Sequence, residues 1–173
     1  SSPSGWSKNF VKKFIYKNIL NLADKIMVNS LEFKKQLKNQ FNLKSKCIYN
    51  PLNITEIKIL SKVKISEKFF SGTSLKIINI GRFADQKDHL TLLKAINLLK
   101  DKIKIKLMIV GGGQNEKKIR NYIKLNNLSK IIKIKNFIKN PFPLIQKADL
   151  FVLSSLYEGL PNVLLESLAL NKF

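Results

Sequence analysis

From Leu75 onward the apolar residues of this chain fall into short blocks that alternate with stretches of helical spacing. Leu75 to Ile80 is an apolar run of strand length that stops at Gly81, and Ile105 to Val110 is a second one, stopping at Gly111-Gly112-Gly113. Between them, Asp88 to Lys100 sets Leu90, Leu93, Ile96 and Leu99 on one face, which predicts an amphipathic helix. The pattern then predicts a helix over Glu116 to Asn126, a strand over Ile131 to Lys135 and a short proline-opened helix over Asn140 to Lys147. A strand over Leu150 to Leu153, ending at Ser154-Ser155, and a last helix over Pro161 to Leu170 follow. Strands that alternate with helices of these lengths imply right-handed βαβ units, and so an α/β fold with a parallel sheet and helices on both faces.

The first fifty residues are patterned differently. Ser1 to Gly5 is loop-like, and Trp6 to Leu22 spaces Phe10, Phe14, Ile15 and Ile19 as a helix would. Lys25 to Val28 and Lys46 to Tyr49 suit short strands, with Ser30 placed to cap a helix running to Phe41 and Asn50-Pro51 breaking the second strand. A strand–helix–strand piece cannot bury both of its faces alone. Residues 1–51 therefore need either the second half of the chain or a missing N-terminal portion, and read as the tail end of a longer domain. Residues 52–74, polar and mixed and closing in Ser71-Gly72-Thr73-Ser74, are expected to be a linker with one short helix.

Charge changes this picture less than its size suggests. The formal net charge is +21 over 173 residues, but of the 32 basic residues only Arg82 and Arg120 are arginine. Readers of base edges and phosphates favour arginine's planar fork, and the lysines are spread along the whole chain among Ile and Asn. A specific nucleic-acid partner is thus not expected, whereas an anionic membrane surface remains a possible one. One cysteine, Cys47, and one histidine, His89, leave no disulfide and no metal-ligand cluster. No apolar segment approaches the roughly 20 residues that span a bilayer, and no signal-peptide pattern opens the chain. The expected setting is cytoplasmic, either free or peripheral at the inner membrane face.

Candidate chemistry gathers at the predicted strand ends. Gly81, Gly111, Gly112, Gly113 and Gly159 all follow strands, at the carboxyl edge where helix N-termini converge on ligands. Their spacing matches neither GxGxxG nor a P-loop. In Tyr157-Glu158-Gly159-Leu160-Pro161-Asn162-Val163-Leu164-Leu165-Glu166, a glycine turn leads into a helix with proline near its first position. Amides around Asn162 and Val163 suit an anion such as diphosphate, and Glu158 and Glu166 suit sugar or ribose hydroxyls. Read singly, each glutamate could equally be a solvated surface residue. Arg82 and Lys87, in the turn after the first strand of the regular region, suit phosphates, although Arg82 could instead pair with Asp85 or Asp88. His89 is expected to be structural.

These residues carry a resemblance. The stretches INIGRFADQKDHLTLLKA, LMIVGGG and NFIKNPFPLIQKADLFVLSSLYEGLPNVLLESLAL resemble the C-terminal, nucleotide-sugar-binding domain of the retaining GT-B glycosyltransferases of family 4 (group 1). ADKIMVNSLEFKKQLKNQF and CIYNPLN resemble the end of that family's N-terminal domain and its interdomain linker. The resemblance implies a GT-B-type, Rossmann-like fold divided into residues 1–51, the end of an acceptor-side domain, 52–74, a linker, and 75–173, an incomplete donor domain. It implies that Arg82 and Lys87 hold the donor diphosphate, that Glu158 contacts the transferred sugar, and that Glu166 contacts the ribose. Backbone around Gly81, Gly159, Leu160, Asn162 and Val163 would approach the donor, and no catalytic metal or other cofactor is implied. The implied activity is retaining transfer of a hexose from a nucleotide-diphosphate sugar, UDP or GDP type, to a glycan or lipid-linked acceptor, as in lipopolysaccharide synthesis. Asn136 before Phe137 and Gln114 after Gly113 depart from the family pattern and leave the base open. The chain is expected to be a fragment of such an enzyme. A non-catalytic nucleotide-diphosphate-binding remnant and a basic polyanion- or membrane-surface-binding α/β protein are the alternatives.

Overall fold

The computed structural model describes residues 10–172, with side chains from Phe14 onward. The loop expected over 1–5 and the start of the helix expected from Trp6 lie outside the described residues. The chain divides into two compact units. One comprises the residues up to Pro51 together with Tyr157–Asn162; the other comprises Leu52–Leu156 and the residues from Val163 onward.

In the first unit, α1 (Phe10–Asn21) and α2 (Leu31–Phe41) accompany a parallel pair of strands, β1 (Met27–Val28) and β2 (Lys46–Cys47). Ser30 caps α2 as its position predicts, its Oγ accepting the Phe33 N–H at 3.1 Å. Asn42 ends the helix in the left-handed region at φ 55°, its N–H donating to the Leu37 and Lys38 carbonyls. Val28, Leu37, Phe41 and Leu43 form the buried centre. Both strands are shorter than their apolar runs, because only the Lys46 N–H to Ile26 and Ile48 N–H to Val28 bonds extend the ladder. The Tyr157–Asn162 turn packs here: a Cβ on Gly159 would sit 3.2 Å from Asn29 Oδ1, and Asn50 Nδ2 donates to Asn162 Oδ1.

The second unit carries α3 (Ile54–Ser61), β3 (Leu75–Ile80), a 3-10 turn at Asp85–Lys87, α4 (His89–Leu99), β4 (Ile105–Val110) and α5 (Glu116–Leu125). After these come β5 (Ile132–Lys135), α6 (Phe142–Lys147), β6 (Leu150–Phe151) and α7, which begins at Asn162 and runs to Ala169. The four strands are all parallel, in the order β5-β4-β3-β6. Side chains alternate between the two faces with the period of a strand. Ile77, Ile105, Leu107, Ile109 and Ile132 meet α4 and α5 through Leu93, Ile96 and Ile119. Ile78, Met108, Val110 and Phe151 meet α3 and α6 through Ile57, Leu144 and Ile145, with Val163 and Leu164 of α7 against them. Both faces of the sheet are thus covered, which is why β3 and β4 are mostly apolar, with Lys76, Asn79 and Lys106 as their polar residues.

Residues 52–74 are packed into this unit. Ile57 and Phe70 belong to the second core, and Glu67 pins the segment to β5. The Glu67 side chain is 3% exposed and takes Lys133 Nζ at 2.9 Å and Lys135 Nζ at 2.7 Å. It also accepts the Phe69 N–H at 3.0 Å. Burial alone would push this carboxyl up, but the two ammonium groups and the N–H outweigh it and hold the pKa at about 2. At the far side of the sheet β6 is two residues long, shorter than the run to Leu153. The Val152 N–H still reaches the Ile78 carbonyl at 2.9 Å, and the buried Asn79 amide donates to the Val152 carbonyl at 2.8 Å.

Candidate functional site

The loops that leave the carboxyl ends of β3 and β4 lie directly on one another. The Gly81 N–H donates to Val110, the Phe83 N–H to Gly112 and the Asn115 N–H to Phe83, at 3.0, 2.9 and 3.0 Å. A Cβ at Gly111 would stand 2.0 Å from the Gly81 carbonyl oxygen, and one at Gly113 would stand 2.7 Å from that of Phe83. At Gly112 nothing lies within 4 Å. Two of the three glycines therefore exist to let one backbone approach another. Asn115 Nδ2 adds a bond of 2.8 Å to Asp85 Oδ1, fixing the 3-10 turn from the β4 side.

The same turn is held from the β6 side. Ser154 Oγ donates to the Lys87 carbonyl and the Leu156 N–H to the Gln86 carbonyl, each at 2.8 Å. Asp88 then takes φ 40° and caps α4, its carboxylate accepting the Thr91 N–H at 3.3 Å and hydroxyl at 2.7 Å. Asp85 and Asp88 are thus engaged by Asn115 and Thr91, while Arg82 is exposed. The Lys87 stem lies along Gly81, with its carbons 3.6 to 3.8 Å from where a Cβ would be.

An open cavity of about 670 Å³ sits at this edge, lined by Gly81, Arg82, Val163 and Glu166 among others. Phe137, Ile138 and Phe142 form its apolar side, with Lys139 beside them. The structure therefore brings together four of the nine residues that the sequence nominates, and places Lys87 against one of them. Glu158, Gly159, Leu160 and Asn162 belong to the first unit and are not among the residues that line the cavity. Lys139 and the aromatic wall went unnoticed as site residues. The available signal was Phe137, a large apolar residue in a polar loop, which proves to be 83% exposed.

Burial raises the Glu166 carboxyl above the usual carboxylate range. His89 is fully inside, packed edge-on against Phe83 with ring centroids 5.1 Å apart. Burial, then the Lys87 charge, pushes its pKa down to about 4, against a smaller opposing pull from Asp88. A histidine depressed in the fold costs stability as it protonates, so its contribution is full above pH 6.5 and lost between 6.5 and 4. Glu67, also depressed, loses its contribution lower, between 4.5 and 2. Acid titration should therefore weaken the fold in two stages, the first amounting to about 3 kcal/mol. Urea midpoints measured at half-unit pH steps should show His89→Leu flattening the first stage alone. An unchanged slope between pH 6.5 and 4 would contradict this.

The model of the family described as glycosyl transferases group 1 matches residues 61–173, a span that takes in the whole four-stranded sheet and every cavity residue named above. The chain belongs to that family. It is 33% identical over 162 residues to an uncharacterized glycosyltransferase, MJ1059, of Methanocaldococcus jannaschii, the match covering 90% of the chain and 40% of that protein. It is 31% identical over 166 residues to the N-acetylgalactosamine-N,N'-diacetylbacillosaminyl-diphospho-undecaprenol 4-alpha-N-acetylgalactosaminyltransferase of Campylobacter jejuni, covering 93% of the chain and 43% of that enzyme. This group 1 chain thus spans about two fifths of the length of these curated relatives. Among solved structures, Anabaena HepE in complex with UDP-glucose superposes with a TM-score of 0.79 at 20% identity, over 99% of the chain and 49% of HepE. A Staphylococcus aureus TarM mutant in complex with fondaparinux, alpha-GlcNAc-glycerol and UDP does so at 0.76 and 21%, over 99% of the chain and 33% of TarM. These likenesses establish the GT-B-type, Rossmann-like architecture of this glycosyl transferases group 1 chain.

Proposed function

We propose that the cavity at the carboxyl edge of the sheet binds the nucleoside diphosphate of a sugar donor. On this reading the whole protein transfers a hexose, with retention, to a glycan or lipid-linked acceptor. The observation that carries the reading is the meeting of the Arg82 guanidinium and the half-buried Glu166 carboxylate in one open, largely apolar cavity. A guanidinium suits a diphosphate, a carboxylate suits ribose hydroxyls, and an aromatic wall suits a base.

In the proposed reaction the bond between the anomeric carbon and the β-phosphate oxygen breaks, and an acceptor hydroxyl attacks from the same face and gives its proton to the departing phosphate oxygen. Arg82 and Lys87 stabilise the charge that grows on the departing diphosphate, the part a cation would otherwise play. Backbone at Gly81 and Val163 closes on the donor. No cofactor is part of this scheme. UDP is favoured as the leaving group by the UDP-glucose complex of HepE and the UDP complex of TarM. A lipid-linked acceptor is favoured by the name of the Campylobacter relative, which specifies a diphospho-undecaprenol substrate. No described helix is long and apolar enough to cross a membrane. With a net charge of +21, contact with the anionic inner membrane face is the proposed route to such an acceptor.

Calorimetric titration of the chain with UDP, GDP and ADP tests the donor site. Saturable binding of one of them, weakened about tenfold or more in Glu166→Ala by loss of charge-assisted hydrogen bonds, is the expected result. A folded chain that binds none, or binds each equally well after the substitution, would sink the reading.

A further inference from the structure

Two chemically unlike groups make the diphosphate end of the proposed site: Arg82, on the loop directly after β3, and Lys87, five residues on. The Arg82 backbone is locked between Gly81 and Phe83, both bonded to the β4 side. Lys87 ends a three-residue 3-10 turn, closed internally by the Lys87 N–H to Ala84 at 3.0 Å and the Asp88 N–H to Asp85 at 3.2 Å. The turn also takes support from outside. Asn115 grips its first residue, Asp85, from the β4 side. At its last two residues the support comes from the segment after β6, through the Leu156 N–H to Gln86 and the Ser154 hydroxyl to Lys87.

That segment is itself fixed from the middle of the sheet. Asn79, 2% exposed on β3, donates to the Val152 carbonyl, two residues before Ser154. The line of contacts therefore runs from a buried asparagine, through Val152 and Ser154, to the carbonyl of the residue that carries the ammonium. The Lys87 stem then passes along Gly81, a residue that lines the cavity. Of this line, the Ser154 bond is the one that a side chain makes to Lys87 itself.

We infer that Ser154 is a positioning residue for donor binding: its hydroxyl sets the backbone of Lys87, and through it the aim of the ammonium at the diphosphate. The inference rests on the donor-site reading. A hydroxyl-to-carbonyl bond of 2.8 Å holds the carbonyl that would otherwise turn toward water. Without it the turn keeps the Lys87 N–H bond to Ala84, the Asp88 N–H bond to Asp85 and its Gln86 and Asp85 anchors, but the Lys87 carbonyl loses its tie to the residues after β6 and can shift with its side chain. A lysine misaimed by about an ångström loses much of a point-charge contact.

The test compares UDP with uridine as ligands of the chain, for the wild type, Ser154→Ala and Ser154→Thr, with thermal midpoints recorded for all three. The expected result is a three- to tenfold loss of UDP affinity in Ser154→Ala, unchanged uridine affinity, and recovery in Ser154→Thr, which keeps the hydroxyl. A merely structural effect would lower UDP and uridine binding together, and that outcome overturns the proposal. So does a Ser154→Ala variant that binds UDP as the wild type does. A wild-type chain that binds neither ligand overturns the donor-site reading and this one with it. The first two failures leave the donor-site reading standing.

Discussion

Gly111→Ala will destabilise the second unit by about 4 kcal/mol or more, whereas Gly112→Ala, one residue along, will change its stability by less than about 1 kcal/mol. The difference follows from what the added methyl meets. At Gly111 it would stand 2.0 Å from the Gly81 carbonyl oxygen and 3.0 Å from the Phe83 ring, and neither can retreat. Phe83 is wholly buried, and the Gly81 and Phe83 N–H groups are bonded across the same seam. Relief requires the two loops to part, which breaks those bonds and exposes the ring. At Gly112 nothing lies within 4 Å and the backbone angle suits any residue, so the methyl enters open space. Urea unfolding of the two variants side by side measures the contrast. Equal midpoints would mean that the loops do not touch as described.

Arg82→Ala should act in the opposite sense, leaving the fold intact and removing the ligand. The side chain is exposed, and Asp85 and Asp88 are engaged by Asn115 and Thr91, so its loss should cost less than about 0.5 kcal/mol of stability. In the proposed site, however, it supplies the forked donor to a diphosphate. Two charge-assisted bonds of that kind contribute about 3 kcal/mol or more together, so UDP affinity should fall at least about 100-fold. Arg82→Lys should restore only part of it, because a point charge cannot make the paired contact. Titration calorimetry reads both variants. UDP affinity within threefold of wild type in Arg82→Ala would remove Arg82 from the site.

The elements that the sequence revealed are those whose signals are local. Ser30 and Asp88 cap α2 and α4 where their types predict, and β3 and β4 begin and end where their apolar runs do. An apolar run and a cap are properties of neighbouring residues. What stayed hidden depends on partners far along the chain. The glycine run after β4 is visible as a turn, but that Gly111 and Gly113 admit the β3 loop while Gly112 admits nothing is fixed only by the packing of one loop on another. Residues 52–74 look like a tether because lysine, serine and glutamate interrupt their apolar residues, yet Ile57, Phe70 and Glu67 fasten them to the second core and to β5. β1, β2 and β6 are each two residues long, shorter than their runs, β6 although its neighbour β3 continues to Ile80. Arg82 and Glu166 were legible as charged residues standing out against a lysine-rich background. Ser154 was legible as a strand end, and its bond to Lys87 was not.

The order of the strands bears on how this edge is assembled. β3, β4 and β5 follow one another along the chain and pair as consecutive crossovers, so their closure needs only short loops. β6 must return to β3 across 73 residues and is then held by a two-residue ladder and the few bonds beyond it. Long-range pairing of this kind comes late in folding, and a seam so thin is where a sheet opens first. The arginine loop, fastened to β4, is complete as soon as the first crossover forms. The lysine turn is finished only when β6 docks, so it is the last part of the edge to acquire its shape and the first to lose it.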